Sequence, residues 1–345
     1  MMKETVTLEK AGLGVVQGIV FVPKTPIKGY LQIICDMYDE LARYECVMEK
    51  LSKEGYLVFG CDLPGHGRSA TTLGDMQGAT GSDLIQILHE YYQLVLRRYP
   101  AVMEHCSVVS QEGKKLELIE PILHALLGIG FGCALARSYL VHYKDVNSLI
   151  FVGDPGMNAR YPKLLKQCQK ECRQKGEKAS SAVIREEMQK HWLDLSPLMK
   201  KYARNTYRSR ELRRVRSYAQ SETLNFDYDL ASMQTILSVL SEITMSQWLS
   251  LLPKYMPLYE LCGYLDPINN YTREIDEMLT RFRYSACKNI FYSYYENSRH
   301  DLLLESCQKE VLSDIALFMN RINDSLKQMY ASQKRMILDR KEGKS

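Results

Sequence analysis

The residue types able to do chemistry are scattered along this sequence, and their spacing decides which of them matter. Ten cysteines run from Cys35 to Cys307, and a thiolate can serve as nucleophile or metal ligand. Their spacing follows no disulfide framework, so they read as reduced, mostly buried thiols. Cys168 and Cys172 would share a helix face, yet no histidine or further cysteine stands at ligand spacing nearby, and neither metal nor cofactor is expected. Four short segments hold the other reactive types: Asp62-Leu63-Pro64-Gly65-His66-Gly67-Arg68-Ser69, Gly128-Ile129-Gly130-Phe131-Gly132, Cys262-Gly263-Tyr264-Leu265-Asp266-Pro267, and Glu296-Asn297-Ser298-Arg299-His300-Asp301-Leu302-Leu303-Leu304-Glu305. A histidine can move a proton near neutral pH, and glycines mark sharp backbone turns. Taken alone, His300 would be a surface or helix-capping residue, so its meaning depends on the elements that place it.

Those elements alternate. Short β-rich runs at Gly18 to Val22, Tyr30 to Cys35 and Tyr56 to Cys61 are interleaved with a helical run from Tyr44 to Glu54, where Val47, Met48 and Leu51 fall at helical spacing. Such alternation predicts a parallel sheet wrapped by helices. A second helix spans Asp83 to Tyr99 and stops at Pro100, and a loop is expected from Cys106 to Lys115. A strand from Pro121 to Leu127 leads through the glycine turn into a helix from Cys133 to Tyr143, and Ser148 to Val152 forms another buried strand. From Met157 to Asn225 β-rich runs are scarce and arginines gather at Arg204, Arg208, Arg210, Arg213, Arg214 and Arg216, which predicts an inserted helical cap. Strands return at Pro257 to Cys262 and Ile290 to Tyr294, before a terminal helix from Leu303 to Met329. The expected organisation is a core of about eight strands over 1–156 and 226–330, a cap over 157–225, and a charged tail over 331–345 that is a frayed helix or disordered.

Composition narrows the function classes. With 45 basic and 41 acidic residues the net charge is only +4, too even to point to nucleic acid. No stretch approaches the roughly 18 apolar residues of a membrane span, so membrane contact is expected to be peripheral at most. The N-terminus lacks the apolar core of a secretory signal, which predicts an intracellular, cytoplasmic protein.

Together the four segments resemble motifs of the lysophospholipase and monoacylglycerol-lipase branch of the α/β hydrolases, of the serine aminopeptidase S33 type. Asp62 to Ser69 is similar to that family's D-x-x-G-H-G-x-S loop, Cys262 to Pro267 to its G-x-x-D-P loop, and Glu296 to Glu305 to its R-H-x-x-x-x-E segment. The resemblance implies an α/β-hydrolase fold, with Asp266 as the triad acid and His300 as the general base. Turn, acid and histidine also follow one another in the order this fold requires. It further implies that Gly130 occupies the nucleophile position and that Met37 and Phe131 supply the backbone donors of the oxyanion hole.

Departures from the pattern are concentrated at the chemistry. The family's G-H-S-M-G has become Gly128-Ile129-Gly130-Phe131-Gly132, and Cys35-Asp36 stands where the family has His-Gly. Gly130 has no side chain to attack a substrate, and Asp36 brings negative charge to the place where an oxyanion must develop. The expectation is therefore a pseudo-hydrolase descended from lipid ester hydrolases, with a lipid-like or amphipathic ligand as its natural partner. Two alternatives stay open: an active esterase using another nucleophile such as Cys35, and a protein-interaction module. Cys133, just inside the turn helix, is expected to point into packing.

Overall fold

A computed structural model describes the chain except residues 110–114, 191, 193–199, 245–252, 285–286 and 342–345. In chain order the strands are β1 (Met2–Lys10), β2 (Gly14–Val22), β3 (Gly29–Ile34), β4 (Leu57–Cys61), β5 (His105–Val109), β6 (Lys115–Ile119), β7 (Leu123–Ile129), β8 (Ser148–Val152), β9 (Leu258–Gly263) and β10 (Ile290–Tyr295). Eight of them form one sheet in the order β1-β2-β4-β3-β7-β8-β9-β10, while β5 and β6 make a separate hairpin. The pairings β1 to β2 and β2 to β4 are antiparallel, and the remaining pairs in the large sheet are parallel. The sheet is thus mostly parallel, as the alternating runs require.

Its central strands β3, β4, β7, β8 and β9 are buried along their whole length. Continuous apolar runs are what a strand covered on both faces needs. The helices are α1 (Glu45–Lys53), α2 (Gly81–Arg98), α3 (Phe131–His142), α4 (Tyr161–Lys175), α5 (Ala182–Gln189), α6 (Leu212–Gln220), α7 (Leu230–Glu242), α8 (Arg273–Tyr284) and α9 (Gln308–Lys341). Thr80 opens α2 with a reciprocal cap to Asp83, which satisfies two orphan donors of the first turn. One core layer gathers Phe59, Tyr91, Leu126, Leu135 and Phe151 beneath α2 and α3. The other gathers Leu31, Val47, Leu51, Ile315 and Met319 beneath α1 and α9.

Several elements differ from the sequence reading. Within the stretch expected as a loop from Cys106 to Lys115, the described residues are strand, 106–109 in β5 and Lys115 at the start of β6, and both strands are too short to stand out by alternation. Helical structure between β8 and β9 continues past residue 225 through α7, which Asp229 caps by accepting the Ser232 N–H. The terminal helix runs on to Lys341. An extended N-terminal strand, β1, forms one edge of the sheet.

Candidate active site

The ends of the parallel strands converge at the turn between β7 and α3. Gly130 alone joins them, at φ 52° and ψ −118°, a backbone conformation that penalises any residue with a Cβ. Two residues on, Gly132 lets α3 close onto β3, since a Cβ there would overlap the Ile34 carbonyl. The turn is held by the Gly130 N–H donating to Val152 O at 3.0 Å and by the Cys133 N–H donating to Gly130 O at 2.9 Å.

Asp36 lies two residues past β3, and its carboxylate fills the space beside Gly130 that a side chain at 130 would need. Its Oδ1 accepts the Phe131 N–H at 2.6 Å, and its Oδ2 lies 3.3 Å from His300 Nε2. On the other side of the ring, His300 Nδ1 lies 2.8 Å from Asp266 Oδ2. Asp266 is itself fixed by the Ile268 N–H at 2.9 Å and by Asn269 Nδ2 at 3.3 Å. Both ring nitrogens therefore face carboxylates, an arrangement satisfied when both carry protons. Burial works to lower the His300 pKa, but Asp266 and Asp36 together outweigh it and hold the ring well above the usual histidine range. His300 and Asp266 are 0% exposed and Asp36 is 5% exposed.

Aromatic side chains cover this triad. The Tyr207 ring lies 5.6 Å from His300 and packs on Trp192. Tyr38, Phe226 and Tyr228 pack in tilted and edge-to-face contacts with centroids 4.7 to 5.3 Å apart. The Tyr38 N–H donates to the Tyr228 hydroxyl at 3.0 Å, and that hydroxyl lies 2.6 Å from His66 Nε2. His66 Nδ1 faces Pro64 O at 3.0 Å, so Nδ1 donates and Nε2 accepts from Tyr228. Burial lowers the pKa of His66, which keeps it neutral.

Below the cover sits a buried ionic cluster. Arg43 bonds Asp39 at 2.6 Å and Asp301 at 2.7 Å. Arg208 bonds the Tyr38 carbonyl at 2.7 Å and lies 3.4 Å from Asp301 and 3.7 Å from Asp39. The Asp301 N–H also donates to Arg208 O at 2.9 Å, so the inserted helical segment is pinned to the His300 loop by backbone and side chain together. Buried charges persist only when paired in this way.

The remaining motif residues hold backbone in place. Asp62 accepts the N–H groups of Leu41 at 2.7 Å and Arg68 at 2.9 Å, and burial pushes its pKa up to about 6. Ser69 donates to the Asp62 carbonyl at 2.6 Å, and Glu305 accepts the Arg299 N–H at 2.7 Å and the Arg210 N–H at 3.0 Å.

The structure thus gathers Gly130, Phe131, Met37, Asp266 and His300 at one place, and adds Asp36 as the group filling it. Cys35 belongs to the other core layer, the one beneath α1 and α9. Burial, with Asp39 and Asp62 nearby, pushes its thiol well up, so this thiol has neither the position nor the ionisation of a nucleophile. Cys133 donates to Gly128 O at 3.2 Å, inside the packing of α3. Of the arginine run, Arg208 is buried in the ionic cluster, Arg204 pairs with Asp227 at 2.8 Å, Arg214 with Glu211 at 2.7 Å, and Arg210 with Asn297 at 2.9 Å. Among the described residues no group of histidine, cysteine, aspartate and glutamate could hold a metal ion, and no helix is long and apolar enough to cross a membrane.

Comparison with known proteins agrees with this fold. A carboxyl esterase from Bacillus coagulans, solved with glycerol, superposes with a TM-score of 0.79 at 18% identity, over 94% of this chain and 99% of that one. A monoglyceride lipase from Saccharomyces cerevisiae, solved with a substrate analogue, gives 0.65 at 11% identity, over 93% and 97%. A monoacylglycerol lipase from Paleococcus ferrophilus gives 0.62 at 13% identity, over 88% and 98%. No curated protein matches the sequence. The family model described as serine aminopeptidase, S33, matches residues 25–307. With an eight-stranded sheet of esterase and lipase form and a family match over most of its length, this chain belongs to the serine aminopeptidase S33 family of the α/β hydrolases.

Proposed function

We propose that this protein is a pseudo-hydrolase: an ester-hydrolase scaffold whose catalytic place is filled by its own carboxylate. The observation that carries the reading is Asp36, bound at once to the Phe131 amide and to His300. In serine hydrolases of this fold the residue after the strand attacks, the histidine takes its proton, and a backbone amide next to the nucleophile stabilises the oxyanion. Gly130 offers no oxygen, the Phe131 amide is already engaged, and an imidazolium cannot accept a proton. Asp266 and His300 keep the geometry of acid and base without a group to activate.

Incubation with a fluorophosphonate probe is expected to leave the intact mass unchanged, and short- and long-chain esters are expected to show no turnover above buffer. A phosphonylated residue, or turnover that disappears in His300→Ala, overturns the proposal. If any residue has taken over as nucleophile, the geometry favours Asp36 over Cys35. An alkyl halide or epoxide would then leave an ester on Asp36, whereas the pseudo-hydrolase reading expects none.

A lipid-like ligand is the partner this scaffold would hold, because Met37, Tyr38, Tyr207, Phe226 and Tyr228 present an apolar layer directly over the site. Binding would require that layer and the Arg208 pin to move apart. Native mass spectrometry of gently purified protein tests it: a co-purifying lipid supports a ligand-binding role, and an empty protein counts against it.

A further inference from the structure

The two edges of the sheet are protected very differently. β1 carries Lys3, Glu4, Glu9 and Lys10 in nine residues, the charged edge by which proteins discourage strand addition. β10 at the other edge reads Ile-Phe-Tyr-Ser-Tyr-Tyr, with no charged residue in six. Among the described residues it pairs only with β9, leaving its outer backbone groups without a strand neighbour there. Tyr292 is 48% exposed on this edge, and Leu317 of the adjoining α9 is 65% exposed. Between β10 and α9 runs an open groove of about 450 Å³, bordered by Phe291, Tyr292, Asp314, Leu317, Phe318 and Arg321.

We infer that this edge is an interface for a second copy of the same chain, joined β10 to β10 in antiparallel fashion to extend the sheet through both subunits. The charges on α9 single out that occupant. Asp314 and Arg321 lie two turns apart beside the groove, and among the described residues neither has an ion-pair partner. Asp314 accepts from the Tyr295 hydroxyl at 2.6 Å, and Arg321 stacks on Phe291 at 5.1 Å. A two-fold axis near the middle of β10, normal to the sheet, sets the two α9 helices antiparallel on one face. Asp314 of each copy then meets Arg321 of the other, so the patch is complementary to itself. The opposite face of β10 adds Tyr292 and Tyr294, whose rings lie 5.7 Å apart, as rigid aromatic contact area. This interface stands whether or not the site at Gly130 is inert.

Sedimentation equilibrium on the full chain up to about 100 µM tests it, since a specific interface of standard size holds well below that concentration. A dimer is expected. Tyr292→Lys, which gives the edge the charge it lacks, is expected to raise the dissociation constant at least about tenfold. Asp314→Arg and Arg321→Asp should each weaken the dimer, and the double exchange should restore it. Thr5→Lys on the opposite edge should leave it unchanged. A monomer at the highest concentration, a dimer unmoved by Tyr292→Lys, or one that the double exchange fails to recover overturns the inference.

Discussion

At the scale of residues, Gly130 and Asp36 act as one unit at the turn. Gly130 has neither a hydroxyl nor a Cβ, and the space a side chain there would need is where the Asp36 carboxylate lies. Placing serine at 130 therefore meets two obstacles: a conformation costing a non-glycine residue about 1 to 3 kcal/mol, and a collision with Asp36. Gly130→Ser alone is expected to lower thermal stability and to recover no ester hydrolysis. Combined with Asp36→Gly and Cys35→His, the same serine should regain measurable turnover, because the Phe131 amide and His300 are released together. Turnover by the single variant, followed with a chromogenic short-chain ester, would contradict this account of the site.

At the scale of elements, what could be read from sequence depended on how each element is buried. Strands β3, β4, β7, β8 and β9 are covered on both faces, so their apolar runs announce them. The edge strand β1 and the β5–β6 hairpin mix charge with apolar residues and carry no such signal. The site was legible where it rests on local motifs, as for the Gly130 turn, Asp266 and His300. The charge of Asp36 was visible as an obstacle, but its position was not, because its bond to Phe131 joins residues 95 apart in sequence. Arg208 looked like any other member of an arginine run, and only the partners brought by the segment between β3 and α1, Tyr38 and Asp39, and by Asp301 of the His300 loop make it a buried pin. Cys35, the alternative nucleophile, has its side chain in the other core layer, a placement that the sequence alone leaves open because successive residues along a strand direction alternate faces.

Strand β9 carries a second consequence at this scale. Glu260 is buried in mid-strand, and among the described residues neither carboxylate oxygen has a hydrogen-bond partner. Burial pushes its pKa up to about 8, against a smaller lowering by Arg137. The unfolded chain releases this proton near the usual 4.5, while the folded chain keeps it up to about 8. Between those limits the unfolded state binds fewer protons, so stability should fall as pH rises. Glu260→Gln removes the titration and is expected to flatten that slope in denaturant unfolding from pH 5 to pH 8. An unchanged slope would show that Glu260 ionises normally.

At the scale of the whole molecule, the α/β-hydrolase architecture is intact, and Asp36 lies against the Phe131 amide and His300 at its centre. Sheet order, the turn from β7 into α3 and the Asp266–His300 pair persist, and the inserted helices are tied down over them through Arg208, Tyr207 and the His300 loop. Sheet, inserted helices and site converge on one proton, the one at His300 Nε2 between the ring and Asp36. Nitrogen NMR of the imidazoles, with His300 assigned by comparison with His300→Gln, measures it most directly. The account predicts that at pH 7.5 both ring nitrogens of His300 are protonated, and that Asp36→Ala moves its titration downward. A neutral ring titrating near the ordinary 6.5, unmoved by Asp36→Ala, would contradict it.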